Sequence, residues 1–164
     1  MSRAVCPGSF DPVTHGHLDI IERTARMFDD VIVAVGTNMS KKHLFTPDER
    51  VEMLVEVSAE WPGVRVQTFD GLLVEFCRAH DVDAIVKGLR FASDFDYELQ
   101  MAQMNNQLTG IDTIFMPTAA EWSYVSSSLV REVAGLGGDV SRFLPESVAR
   151  RTAERISERR EQTG

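Results

Sequence analysis

Short apolar runs alternate with amphipathic stretches from one end of the chain to the other. Residues 4–8, "AVCPG", read as a short strand ended by a Pro-Gly break. Over 17–28, Leu18, Ile21, Ala25 and Phe28 recur at helical spacing. The continuous apolar run at 31–36, "VIVAVG", has the mark of a strand covered on both faces. A strong helix start comes next over 46–61, with Thr46 suited to the N-cap, Pro47 to the first helical position and Glu49 to the reciprocal cap. The pattern then predicts a strand at 64–69, a helix at 72–80 and a buried strand at 83–88. A helix over 94–108, a fifth strand at 112–117, a helix over 127–138 stopped by glycine and a charged helix over 145–161 complete the series. About five rounds of strand and helix predict an α/β fold, a Rossmann-like, doubly wound, five-stranded parallel sheet with helices on both faces. Neither a repeat nor a linker interrupts it, so residues 1–164 are read as one domain.

Composition narrows the classes. The chain has 164 residues, 43% hydrophobic and 26% charged, which suits an ordinary folded domain. A net charge of −8 argues against a broad nucleic-acid footprint, so an anionic ligand would need a few placed cations. Cys6 and Cys77 both lie in apolar contexts and read as reduced core thiols. No signal-peptide pattern or membrane-length apolar stretch is present, so a cytoplasmic protein with no membrane partner is the expectation. The arginine-rich end, "RRTAERISERREQ", interleaves acids and reads as a solvated helical face.

In an open parallel sheet, ligands bind beyond the carboxyl ends of the strands, so the loop after each strand matters most. The chain has 14 arginines but three lysines, and Lys41, Lys42 and Lys87 all stand just past predicted strand ends. Lysine is a compact point charge suited to phosphate; chance placement of exposed cations is the plainer reading of the same pattern. Gly16-His17 and Ser126-Ser127-Ser128 each open a predicted helix, where free amides and the positive helix end favour an anion. Arg131 stands one turn beyond those serines, and Trp122 and Tyr124 just before them. Other chemistries fit less well. Cys6 lies inside a strand without an obvious base, and Thr-His-Gly-His has no zinc-site spacing, so no metal-ligating residues are assigned. "SYVSSSL" lacks the glycines of a nucleophile elbow, and no Walker-type loop occurs.

"GSFDPVTHGH" and "WSYVSSSLVRE" together resemble two signatures of the nucleotidyltransferases related to class I aminoacyl-tRNA synthetases. Taken with "SKK", "FTPDER", "VKGLR", "DFDYELQMAQMN" and "GDVSRFLPE", in that order, the chain resembles the bacterial phosphopantetheine adenylyltransferase family over nearly its whole length. "NMSKK" also resembles the synthetases' KMSKS loop, but it falls too early in the chain; the Ser126 to Ser128 segment fills the later slot. The resemblance implies adenylyl transfer from ATP to 4′-phosphopantetheine with magnesium, giving dephospho-coenzyme A and pyrophosphate. It implies that Ser9 and Phe10 meet ATP, that Ser9 also meets phosphopantetheine, and that His17 stabilises the transition state on the ATP phosphates. Lys41, Leu73 and Lys87 would line the phosphopantetheine site. Gly88, Leu89, Arg90 and Glu98 would hold ATP together with Trp122, Ser123, Tyr124, Val125, Ser126, Ser127 and Ser128.

Catalytic roles then fall to His17, Lys41 and Arg90, while His15 occupies the variable signature position and is expected to face solvent. Many relatives carry Thr at Ser9 and Arg at Lys87, so a hydroxyl and a cation survive at both places. A homohexamer built as a dimer of trimers, and feedback inhibition by coenzyme A, are further implications of the family. Two rivals stay open: a transferase of the same fold with another phosphate acceptor, and a non-catalytic nucleotide sensor.

Overall fold

The computed structural model describes residues 1–164 with the exception of Met39, Lys41 and the Ser93 side chain. The chain forms β1 (Arg3–Gly8), α1 (His15–Ala25), β2 (Asp30–Gly36), α2 (Pro47–Val57), β3 (Val64–Phe69), α3 (Leu73–Ala79) and β4 (Ala84–Leu89). It continues through α4 (Ala92–Thr109), β5 (Asp112–Pro117), α5 (Ser127–Gly135) and α6 (Glu146–Thr163). The five strands form one parallel sheet in the order β3-β2-β1-β4-β5.

Successive strand residues enter opposite cores. Cys6, Val31, Val33, Val35 and Val86 pack on one face with Ile21 of α1, Leu54 of α2, Val130 of α5 and Val148 of α6. Val5, Ile32, Ala34 and Ile85 pack on the other with Cys77 of α3, and α4 lies beside α3 against β4 and β5. Right-handed crossovers explain this division: the chain winds outward from β1 through β2 to β3, then returns past β1 to β4, and the reversed direction puts α3 and α4 on the other face, while α5 and α6, which follow the last strand, pack back on the first. Among the described residues no helix is long and apolar enough to cross a membrane.

That reversal makes the gap between β1 and β4 the switch point of the sheet, where a ligand crevice belongs. The β1–β2 ladder runs for six residue pairs from Arg3↔Asp30 to Gly8↔Val35, whereas β1 and β4 pair only at Ala4↔Ala84 and Val5↔Ile85. Proline accounts for the early stop. The Ser2 carbonyl accepts from β2 and the Arg3 carbonyl from Asp83 at the head of β4. By strand alternation Pro7 therefore faces β4, and it brings no N–H to that side. Beyond Val5 the two strands part.

The expected helix starts and stops differ in instructive ways. α1 begins at His15, two residues ahead of the expected start, because Thr14 caps it, and it ends at Ala25, where Met27 and Phe28 turn back onto the Thr24 carbonyl. α2 opens on the expected Thr46/Glu49 capping box but ends at Val57, where the Ser58 hydroxyl donates to the Leu54 carbonyl at 2.6 Å. α5 closes at Gly135, short of the expected 138.

α1 crosses β4 so closely that a Cβ built on Gly88 would meet Ile20 Cγ1 at 2.9 Å. Gly88→Ala should therefore lower stability by about 1–3 kcal/mol through overpacking. In an Ile20→Ala background the same change should cost less, and urea titration of the four proteins in that cycle checks it; equal costs in both backgrounds would sink the claim.

Candidate active site

A cavity of about 560 Å³ opens where β1 and β4 diverge, lined by the ends of both strands, the start of α1 and the start of α5. Of the expected site residues, Ser9, Phe10, His17, Lys87, Gly88, Arg90, Glu98, Val125, Ser126, Ser127 and Ser128 line it together. Lys42, His43, Thr118 and Arg131 join them. Leu89, Trp122, Ser123 and Tyr124 stand outside the lining, and Leu73 packs against the second core beneath the sheet. The expectation for Lys41 falls outside the described residues.

His17 is set by the local rules of a helix start. Thr14 is the N-cap of α1 and His17 its third residue; the Thr14 hydroxyl accepts from the His17 amide, and the Thr14 amide donates to His17 Nδ1 at 3.0 Å. A backbone amide can only donate, so Nδ1 must be the unprotonated nitrogen and Nε2 carries the hydrogen. Burial, followed by the nearby Arg90 charge, pushes the imidazole pKa down to about 4. The ring is thus a neutral donor through Nε2 in a side chain that lines the crevice. Phe10 packs edge-on against it with ring centroids 5.0 Å apart. Phe10 itself is buried with a left-handed φ of 50°, a strained conformation for a bulky residue. Its ring lies under β1, where a Cβ on Gly8 would meet it at 3.1 Å.

The three serines divide their work. Ser126 caps α5 by accepting from the Leu129 amide at 3.1 Å. The Ser127 hydroxyl donates to the Pro12 carbonyl at 2.7 Å, tying α5 to the signature loop. Ser128 accepts from Arg131 Nη2 at 3.3 Å, and Arg131 Nη1 donates to the Asp11 carbonyl at 2.7 Å. With all three hydroxyls engaged, the segment offers an anion its helix-opening amides and Arg131. Across the crevice, Arg90 is held by Asp94 at 3.2 Å, and Lys87 Nζ donates to Glu98 at 2.7 Å. Two residues expected to serve different substrates are therefore partners here, and an incoming phosphate would compete with Glu98 for Lys87.

Among the described lining residues, Lys42, Lys87, Arg90 and Arg131 face one acid, Glu98. A chain of net charge −8 thus concentrates cations at one mouth. Beneath that mouth Asp11, fully buried, accepts from the Leu44 and Phe45 amides at 2.8 Å each. Arg50 is buried too and donates to the Ser9 carbonyl at 2.7 Å and the Gly36 carbonyl at 3.1 Å.

Sequence reasoning missed both, although Arg50 shares the core stripe of α2 with Met53 and Leu54, where an arginine is out of place. His15, expected to face solvent, is half-buried against Trp122 with ring centroids 5.0 Å apart. The expectation rested on its variable signature position, whereas the Thr14 cap puts His15 in the first turn of α1, beside Trp122.

Residues 5–133 match the family model described as cytidylyltransferase-like. The chain is 60% identical over 157 residues to a Nocardioides protein named phosphopantetheine adenylyltransferase, covering 96% of this chain and 99% of that one. Proteins of the same name from Streptomyces coelicolor and Thermobifida fusca are 56% and 57% identical, over 97% and 100% of this chain and the whole of each relative.

The depressed imidazole makes a pH prediction. As pH falls, the unfolded chain takes up the His17 proton near the ordinary value of about 6.5, while the folded chain resists until about 4. This group's contribution is therefore flat above that window, and stability falls through it by up to about 1.4 kcal/mol per pH unit. His17→Asn, which keeps an acceptor for the Thr14 amide, should lose that component of the slope. Urea titrations at several pH values between those limits check it, and parallel curves for the two proteins would refute it.

Proposed function

The chain belongs to the phosphopantetheine adenylyltransferase family within the cytidylyltransferase-like proteins, and on that basis we propose that it transfers an adenylyl group from ATP to 4′-phosphopantetheine. The products are dephospho-coenzyme A and pyrophosphate, the step serves coenzyme A biosynthesis, and residues 1–164 act as one transferase domain. The observation that carries the reading is the capped His17: its neutral ring keeps an Nε2–H donor in a cation-rich crevice at the switch point of the sheet.

The attacking group is a phosphate oxygen already anionic at neutral pH, so no general base is needed. An oxygen of the phosphopantetheine phosphate forms a bond to the α-phosphorus of ATP as the bond from that phosphorus to the bridging oxygen breaks, and pyrophosphate leaves with the electron pair. Catalysis reduces to alignment and charge. His17 Nε2–H donates to the α-phosphate oxygens as charge builds on them. Lys41 neutralises charge between the acceptor and the α-phosphate, and Lys87 binds the acceptor phosphate. Arg90, with the α5 amides and Arg131, takes the β- and γ-phosphates. Ser9, Phe10, Gly88, Glu98 and Val125 to Ser128 complete the ATP site from the crevice lining. On the family resemblance Leu89, Trp122, Ser123 and Tyr124, which stand outside that lining, join the ATP site, and Leu73 walls the pantetheine arm. Magnesium would supply charge neutralisation to the nucleotide; among the described residues the single acid in the lining, Glu98, is paired with Lys87, so such a metal would be held chiefly by the substrate and not by a cage of protein side chains.

The enzyme works in the cytoplasm as a homohexamer, a dimer of trimers, under feedback inhibition by coenzyme A. The exposed apolar positions Phe95, Met101, Met104 and Leu108 along α4 support burial between subunits. Light scattering tests the assembly, and a monomeric mass would overturn it.

Coupled pyrophosphate release with a panel of phosphate acceptors tests the reaction. Release with phosphopantetheine alone is expected; release only with another acceptor, or with none, overturns it. His17→Ala should lose roughly 10²–10³-fold in kcat while ATP affinity changes little; near-wild-type kcat would remove His17 from its role. Lys41→Ala should weaken phosphopantetheine binding in isothermal titration, and unchanged affinity would exclude it from the site.

A further inference from the structure

The alternating charges of α6 suit a solvated helical face, yet two of its arginines turn inward onto the segment that carries the lysines. Residues 43–45 lie between β2 and α2, where no strand or helix satisfies their backbone groups. Asp11 takes the amides of Leu44 and Phe45 from the side of the signature loop. The opposite edge belongs to α6. Arg159 Nη2 donates to the His43 carbonyl at 2.7 Å, and Arg155 Nη1 donates to the Leu44 carbonyl at 2.8 Å.

Arg155 is fixed in turn. Its guanidinium forks onto Glu49 in the first turn of α2 and lies over the Phe45 ring, 5.1 Å from the centroid. That pairing holds the Glu49 carboxyl down at about 2, well below the ordinary carboxylate range. Charge-assisted bonds from a rigid fork are the kind that set a backbone's position rather than merely touch it. Lys42, the residue just before this gripped stretch, lines the crevice, and Lys41 precedes it in the chain.

We propose that α6 is a positioning element of the active site, in which Arg155 and Arg159 hold the backbone of residues 43–45 so that Lys42, the adjoining residue that lines the crevice, meets the acceptor phosphate. The proposal rests on the adenylyl-transfer reading above. It assigns a role in acceptor alignment to a helix that, among the described residues, contributes no side chain to the crevice.

The test is the full-length Arg155→Ala/Arg159→Ala variant, with Arg160→Ala as a control on the same helix, since Arg160 bonds the Gly135 carbonyl of α5 instead. The double variant should raise KM for phosphopantetheine and lower kcat by about tenfold each, while KM for ATP stays within about twofold, as expected for misplacement of one reacting group. Hydrogen exchange at the Leu44 and Phe45 amides should accelerate about tenfold, consistent with local opening. The control should match wild type in both readouts. A double variant with wild-type constants, or one whose KM for ATP rises equally, overturns the proposal even if its Tm falls. If the double variant does not fold, Arg159→Ala alone, which leaves the Arg155–Glu49 pair intact, must show the same split at about threefold, and its absence overturns the proposal. A wild-type chain that releases no pyrophosphate with phosphopantetheine overturns the functional reading instead, and the grip of α6 is then judged on exchange alone.

Discussion

A carboxylate shut away from water has to find its hydrogen bonds in the protein, and Asp11 finds them in the amides of Leu44 and Phe45. This pair of bonds joins the loop after β1 to the loop after β2. Leaving a buried carboxylate unpaired would cost several kcal/mol or more, so neither loop can move without the other. The constraint extends outward from both ends. The Asp11 carbonyl accepts from Arg131, and the neighbouring Pro12 carbonyl accepts from Ser127, which locks the start of α5 to the same loop. The Ser9 carbonyl accepts from Arg50 of α2. His17 is the last member of a capping box whose first member, Thr14, lies in this immobilised loop. Three walls of the crevice therefore share one buried anchor.

The same anchor clarifies how an acidic chain can hold polyanions. Overall charge sets a field that repels them, but the crevice gathers four cations and two helix starts within one concavity. Preorganisation carries the chemistry more than charge does. Arg90 is braced by Asp94 and Arg131 by Ser128 and Asp11, so these groups need little reorganisation when phosphates arrive. His17 is held neutral by burial and by Arg90, and its tautomer is dictated by a backbone amide. A helix-capping interaction, ordinarily a matter of stability, thus chooses which ring nitrogen faces the reaction.

Topology supplies the opening itself. A sheet that winds one way from β1 and then the other leaves its first strand with a neighbour on each side and a helix leading away from each. The crevice deepens because Pro7 cannot extend the ladder toward β4. Gly88 matters on the facing strand for a different reason, since it lets α1 settle on β4 and brings His17 within reach of Arg90's field.

Hydrophobic periodicity, with helix caps and Pro/Gly breaks, determined the sequence order of five strands and six helices, because most elements bury a stripe or a face that local spacing records. The Thr46/Glu49 capping box and the clustering of cations past strand ends were legible for the same reason: they are short-range patterns. The His17 box was not, because histidine at the third helical position is outside the usual Ser/Thr-x-x-Glu/Gln pattern, and only the fold reveals its nitrogen facing the Thr14 amide. The pairing of Lys87 with Glu98, the buried bond of Asp11 to the chain more than 30 residues on, and the return of α6 onto residues 43–45 join positions remote in sequence. Sequence determined which residues had the chemistry to bind phosphates; tertiary structure decided which of them are free to do so, because partners brought together by packing claim some side chains and leave others facing the crevice.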